Sequence, residues 1–275
     1  MSGLLKGKVA IVTGSGRGVG LATARLLASH GTRVVVNDLD AGVAEAAVAD
    51  IRAHGGEAIS VPGNVTETVF VESLIETALA SWGGIDIIVN NAGYIWNGAA
   101  HNHSDEQFEA MLDVHVMAPF RILRAFSGWM RVQAKQEIAE TGKARCRKIV
   151  NISSVSGTAG SATQIGYSAA KSAVLGMTKT LAKEWGRYNV TVNCVAFGHI
   201  DTRLTQAYAE DPPTIEVEGR DHKVGLSERQ IDSITAMTPL GRAGQPEDAA
   251  GAIFLFCIPQ SDFITGEVLT CSGGT

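Results

Sequence analysis

Val9-Ala10-Ile11-Val12-Thr13-Gly14-Ser15-Gly16-Arg17-Gly18-Val19-Gly20 is the stretch on which the fold turns. A short β-branched run passes directly into a loop with glycine at four of seven positions. A segment with apolar residues at helical spacing follows, residues 21–29, and stops at Gly31, where glycine suits the left-handed C′ position. Strand, glycine loop, helix and second strand (33–38) therefore follow in order. In that order the loop's glycines allow a tight turn, close backbone approach to a pyrophosphate and close packing of helix on strand, with the positive end of the helix facing the phosphates.

Further apolar runs occupy 8–13, 33–38, 58–62, 85–90, 148–153, 190–196 and 267–271. They are continuous rather than alternating, as expected of parallel strands covered by helices on both faces. Seven strands with helices between them predict an α/β fold, a single-domain Rossmann-type doubly wound parallel sheet over residues 1–275. No internal repeat or Pro/Gly/Ser linker divides the chain. Two further helices are predicted. One spans 104–133 and begins with a Ser104/Gln107 capping box, and the other spans 167–185 and ends at Gly186. The polar stretch 134–147 is expected as an exposed insertion. The long segment 203–238, with Pro212-Pro213 and mixed charges, is expected as a partly helical substrate lid, a passive surface excursion being the other reading.

The formal charge of −5 argues against a phosphate-backbone partner, which needs a basic face. Cys146, Cys194, Cys257 and Cys271 are scattered, with neither a C-x-x-C pair nor metal-ligand spacing, so no metal site is expected. No apolar run reaches the roughly 18 to 20 residues that span a bilayer, and the first strand leaves no room for a signal peptide. A cytoplasmic protein without nucleic-acid or membrane partners is the expectation.

Asp38 closes the second run. A carboxylate there accepts hydrogen bonds from the adenosine ribose hydroxyls and repels the extra phosphate of NADP, so NAD(H) is expected as the preferred cofactor. Arg17 points the other way if it meets a 2′-phosphate, and it has two other uses, the pyrophosphate or solvent. Tyr167 and Lys171, at i and i+4, share a helix face, and a nearby ammonium favours the phenolate, which otherwise forms only near pH 10. Ser154, at the end of the fifth strand, is placed to hold the same substrate oxygen.

Through these residues the sequence resembles the short-chain dehydrogenase/reductase family over nearly its whole length. The matching motifs are Thr13 to Gly20, Asn90-Asn91-Ala92-Gly93, Asn151-Ile152-Ser153-Ser154 and Tyr167-Ser168-Ala169-Ala170-Lys171. The resemblance implies Tyr167 as acid/base, Lys171 on the nicotinamide ribose and tuning Tyr167, and Ser154 orienting substrate. It places Gly14, Ser15, Arg17, Gly18, Val19 and Gly20 at the cofactor, Asn91, Ala92 and Gly93 on its adenosine side, and Asn64-Val65 near adenine, where the family often has Asp-Val. Gly198, Ile200 and Thr202 fall under the nicotinamide, with Phe197 where proline is usual.

The family's asparagine in the long helix, whose backbone holds a water linked to the lysine, is His115 here. Two readings are open: a backbone carbonyl with a space-filling ring, or an imidazole in the proton relay. Family members acting on 3-hydroxyacyl thioesters also carry histidine there, and the overall pattern is similar to the 3-oxoacyl-carrier-protein reductase branch. Expected substrates are thus a secondary alcohol or ketone, with 3-hydroxyacyl or 3-oxoacyl thioesters first and cyclic, steroid-like or sugar alcohols also open. A non-catalytic dinucleotide-binding regulator is the alternative of another class. The resemblance also implies a homotetramer or homodimer built through the two long helices and the C-terminal segment.

Overall fold

Four buried residues, Val9–Val12, form the central strand β1 in the computed structural model, which describes residues 3–217 and 219–275. From β1 the chain alternates through α1 (Gly18–Ser29), β2 (Arg33–Val36), α2 (Ala41–Ala53), β3 (Glu57–Ser60), α3 (Thr68–Trp82) and β4 (Ile87–Asn90). Then come α4 (Asp105–Leu112), α5 (Ala118–Thr141), β5 (Arg147–Ser154), α6 (Val155–Ala159), α7 (Ile165–Trp185) and β6 (Val190–Phe197). Four short strands, β7 (Ala207–Tyr208), β8 (Thr214–Val217), β9 (Arg220–Lys223) and β10 (Leu226–Ser227), precede α8 (Glu228–Met237), α9 (Pro246–Cys257) and β11 (Val268–Cys271).

The main sheet has the order β11-β6-β5-β4-β1-β2-β3 and every pairing in it is parallel, as the continuous apolar runs predict. Side chains alternate between the two faces. Ile11, Val35, Ile88 and Ile149 pack with Leu74, Ile122, Phe126 and Trp185 on one side. On the other, Val12, Val34, Val89, Val150 and Val195 pack with Leu27, Ile51, Ile253 and Phe256. Between β1 and β4 the strand order reverses, and this switch point opens a crevice at the carboxyl ends of the strands.

Two regions depart from the sequence reading. The helix expected over 104–133 is two helices joined by a π-helical turn, Asp113–Met117, which carries His115. The second helix runs on to Thr141, so 134–147 is not an exposed insertion. Its polarity misleads because only one helix face is buried there: Ala134 is fully buried, and Glu137 is bridged to Arg147 by hydrogen bonds of 2.7 and 3.1 Å. Gly142 ends the helix at φ +80°, the left-handed cap that marks the true boundary.

The segment 203–238 is partly helical, through α8, but it also holds a β8–β9 hairpin in which Ile215 faces His222, both buried. Between those strands, Glu218 lies outside the described residues. No described helix is long and apolar enough to cross a membrane, and no cluster of potential metal ligands occurs among the described residues. All four cysteines are free.

Candidate active site

At the switch point lies a cleft of about 1240 Å³, larger than the roughly 300–1,000 Å³ typical of a small-molecule pocket and so roomy enough for a dinucleotide beside a substrate. Gly14, Arg17, Gly18, Val19 and Gly20 line it from the loop after β1. The cradle tolerates no added carbon at Gly20, where a Cβ would stand 2.2 Å from the Gly14 carbonyl oxygen and 2.6 Å from Asn91 Nδ2. Ser15 belongs to the loop's scaffold rather than to the cleft wall: it is fully buried, and its hydroxyl donates to the Val12 carbonyl at 2.6 Å. Asn91 does similar work, its amide donating to the carbonyls of Thr13 and Gly14 at 2.9 and 3.0 Å, while the Thr13 hydroxyl accepts the backbone N–H of both Asn91 and Ala92. Ala92 and Gly93 complete that wall.

Asp38 follows β2 and points back at the loop, where its Oδ2 accepts the Gly16 N–H at 3.0 Å. The carboxylate is thereby aimed at the corner where the glycine loop and β2 meet, with lone pairs left for a diol. Arg17 pairs with Asp40 at 3.3 Å, not with Asp38. Asn64 and Val65 line the same end, the Asn64 oxygen accepting from the Thr66 N–H at 2.9 Å and from its hydroxyl at 2.8 Å. Gly198, Ile200 and Thr202 line the cleft after β6, Thr202 beside Gly18 of the glycine loop, with Ile200 bridged to Gly244 and Thr202 bonded to Thr205.

The reacting groups converge on the same cleft. Ser154 is the last residue of β5 and the N-cap of α6, its Oγ accepting the Ser156 N–H at 3.1 Å. Tyr167, in the first turn of α7, lies beside Ser154, whose hydroxyl favours the phenolate. Burial pushes the Tyr167 phenol up to about 12, the Ser154 hydroxyl acting against it, so the group is a protonated acid at neutral pH. One turn on, the Lys171 ammonium sits 5.6 Å from the Tyr167 ring centroid and donates to the Ile152 carbonyl at 2.9 Å. Burial pulls it down to about 8. A partly buried acid beside a hydroxyl, with a buried cation one helix turn away, suits proton transfer to or from one substrate oxygen.

His115 packs edge-on against Tyr167, ring centroids 5.1 Å apart, and its Nε2 lies 2.8 Å from the Tyr94 carbonyl oxygen, an arrangement that requires the proton on Nε2. Burial and the Lys171 charge hold its pKa well below that of an ordinary imidazole. Gly93 is needed at this contact, because a Cβ there would stand 2.3 Å from His115 Cε1.

Several lining residues carried no motif: Tyr94, Gln164, Arg203, Arg220 and Lys223. Gln164 precedes α7 and accepts from the Ser156 hydroxyl at 2.9 Å. The one sequence signal available for them was position, since Tyr94 and Arg203 directly follow recognised motifs.

The short chain dehydrogenase family model matches residues 8–213. A 3-oxoacyl-[acyl-carrier-protein] reductase of Synechocystis sp. is 38% identical over 272 residues, covering 98% of this chain and 97% of its own. Its namesake from Chlamydia muridarum is 34% identical over 275 residues, covering 100% and 99%. Among solved structures, a gluconate 5-dehydrogenase from Burkholderia cenocepacia in complex with NADP and tartrate superposes with a TM-score of 0.83 at 30% identity, covering 98% of this chain and 95% of its own. By fold, by cleft and by these matches, the chain belongs to the short-chain dehydrogenase family, oxidoreductases that bind a nicotinamide dinucleotide and act on CH–OH or keto groups.

Proposed function

We propose that this chain is an NAD(H)-dependent oxidoreductase interconverting a secondary alcohol and a ketone, with 3-hydroxyacyl and 3-oxoacyl thioesters as its substrate class. The observation that carries the chemistry is the convergence of Ser154, Tyr167 and the buried Lys171 ammonium on the cleft that the glycine loop lines. The glycine cradle and the Asp38 carboxylate fit a dinucleotide whose adenosine ribose carries no 2′-phosphate. When bound, that cofactor supplies or accepts the hydride. In reduction, Tyr167 gives its proton to the carbonyl oxygen that Ser154 holds by a hydrogen bond, and the Lys171 charge steadies the resulting phenolate. In oxidation the same groups run in reverse.

The thioester class rests on the names of the relatives at 38% and 34% identity, both acyl-carrier-protein reductases. Segment 203–238 would then act as the substrate lid, since Ile215, Lys223, Leu226 and Ile234 line the cleft from it. An assembly through α5 and the C-terminal segment is supported by Phe120 and Val132, exposed on α5, and by Phe263, fully exposed after α9. Sedimentation as a monomer at micromolar concentration would remove that part.

The deciding experiment is a hydride-transfer assay with NAD(H) and NADP(H) against acetoacetyl thioesters, 3-hydroxyacyl thioesters and a panel of cyclic and sugar alcohols. Turnover of a thioester, lost by about 10² to 10⁴-fold in Tyr167→Phe with cofactor binding retained, is the expected result. Cofactor binding without turnover of any alcohol or ketone would overturn it in favour of a regulator.

A further inference from the structure

Thr163 is a β-branched residue in a left-handed backbone. Its φ is +65°, and among the described residues the other non-glycine at positive φ is Asn189, at +58°. Asparagine tolerates that region because its short amide bonds to the nearby backbone, whereas threonine is crowded there by its branched Cβ.

The position is set by a turn, Ser161-Ala162-Thr163-Gln164, which the Gln164 N–H closes by donating to the Ser161 carbonyl at 3.2 Å. A positive φ at the third residue alone is the pattern of a type II turn, which ordinarily takes glycine or asparagine there. Two contacts hold the turn. The Thr163 carbonyl accepts the Gly98 N–H at 2.8 Å, joining it to the chain after β4, and the Gln164 side chain accepts from the Ser156 hydroxyl at 2.9 Å. The chain then enters α7, which carries Tyr167.

None of this needs a threonine. Glycine would make the same turn and the same carbonyl contact without crowding, so it is the side chain that requires an explanation. It is exposed and lines the cleft beside Asn97, Ser161 and Ala162, in the cavity that also holds Ser154 and Tyr167. Its hydroxyl donates to the Ala162 carbonyl at 2.6 Å. The proton is thereby committed, and the oxygen is left as an acceptor for a ligand.

We propose that Thr163 is a specificity-determining residue that accepts a hydrogen bond from the part of the substrate beyond the reacting carbon, its backbone strain being retained for that contact. The substrate it selects carries an N–H or O–H donor there, an amide or a hydroxyl, rather than plain hydrocarbon. The inference rests on the oxidoreductase reading above and adds a substrate contact to it.

The test is steady-state kinetics of wild type, Thr163→Gly, Thr163→Val and Thr163→Ser with three substrates. These are the acetoacetyl thioester of N-acetylcysteamine, whose amide is a donor, a polyol, whose hydroxyls are donors, and ethyl acetoacetate, which has none. Melting temperatures and NAD(H) titrations run in parallel. In Thr163→Gly and Thr163→Val, KM should rise about tenfold for a donor-bearing substrate, while KM for ethyl acetoacetate and the affinity for NAD(H) stay as in wild type. Thr163→Ser, which keeps the oxygen, should keep the KM. Thr163→Gly should also melt about 2 to 4 °C higher, strain relief exceeding the entropy of the more flexible unfolded chain. Thr163→Val, still branched, should not. The donor-bearing substrate whose KM moves identifies the donor as amide or hydroxyl. Equal changes with donor-bearing and donor-free substrates, or an unchanged KM in both Thr163→Gly and Thr163→Val, would overturn the proposal and leave the oxidoreductase reading standing. A glycine variant no more stable than wild type would overturn it too, by showing that the turn holds no strain. Turnover of none of the three by wild type would instead remove the oxidoreductase reading, and this contact with it.

Discussion

His115 lies edge-to-face on Tyr167 with ring centroids 5.1 Å apart, and its only polar partner among the described residues is a backbone carbonyl, that of Tyr94. The proton on Nε2 is committed to that carbonyl, and Nδ1 is buried without a partner. Such an imidazole is a positioning group rather than a relay, since a relay needs an exchangeable partner at both nitrogens. His115→Asn should therefore keep turnover within about fivefold. Its signature is in stability: a histidine pKa lowered by burial and by Lys171 gives stability that is present above the unfolded value of 6.5 and lost as pH falls below it. Melting temperatures at pH 5 and 7.5 should diverge less in His115→Asn than in wild type. A turnover loss beyond a hundredfold in that variant, with its melting behaviour unchanged, would restore the relay.

Lys171 makes the opposite demand at high pH. Its folded value of about 8 lies below the unfolded value of 10.5, because burial penalises the ammonium. The folded state thus binds fewer protons than the unfolded one between these limits, and this group adds stability as pH rises through that window. Lys171→Met should abolish turnover and weaken cofactor binding, yet be more stable than wild type at pH 7 by about 2 kcal/mol. That advantage should shrink between pH 8 and 10.5. The comparison must be made as a difference between the two proteins, because buried Cys194 and Cys257, pushed up to about 12 by burial, act in the reverse direction. Denaturant titrations at pH 7 and 10 give the difference directly, and a gap independent of pH would refute the account.

Glu137 and Arg147 anchor the end of α5 to the start of β5. Arg147 is 3% exposed, makes two bonds to the Glu137 carboxylate, and lies over the Trp129 ring at 5.1 Å. Removing one partner strands a buried charge, which costs about 3 kcal/mol. Glu137→Ala should lose that much stability in urea titrations while activity per folded molecule stays the same, the pair being remote from the cleft. A variant as stable as wild type would show the pair to be solvated.

The contrast between these residues shows what the sequence disclosed. Asp38, Ser154, Tyr167 and Lys171 sit in local motifs tied to strand ends or a single helix turn, so their convergence on the switch point follows from the order of strands alone. The parallel sheet was legible for the same reason, because its strands are buried on both faces. Glu137 was not legible: its partner is ten residues away across a helix end, and a charged residue buried by pairing looks the same in sequence as one left in water. The β8–β9 hairpin was equally silent, its four-residue strands alternating too briefly to stand out, and Ile215 and His222 are buried only because the hairpin folds onto the rest of the chain. The π-helical turn carrying His115 left no mark in a pattern that remained helical throughout.

Cofactor choice turns on a single corner. Asp38 already accepts the Gly16 N–H and Asp40 accepts from Arg17, so the carboxylates there are held in place rather than free to swing away. NADP would bring a phosphate of roughly two negative charges beside Asp38, and unit charges about 4 Å apart repel by roughly 4 kcal/mol at an effective dielectric near 20. Salt and rearrangement reduce this to a net penalty of about 1.4 to 3 kcal/mol, which is a preference for NAD(H) of roughly ten- to a hundredfold in kcat/KM. Asp38→Ser should narrow that preference mainly by improving NADP(H), because a hydroxyl still accepts from Gly16 and no longer repels phosphate. Arg17 would gain nothing until Asp40 releases it, so Asp38→Ser/Asp40→Ala should favour NADP(H) beyond the sum of the single changes. Steady-state kinetics with both cofactors across the three variants measure this directly. A wild-type preference for NADP(H), or a ratio untouched by Asp38→Ser, would place the discrimination outside this corner.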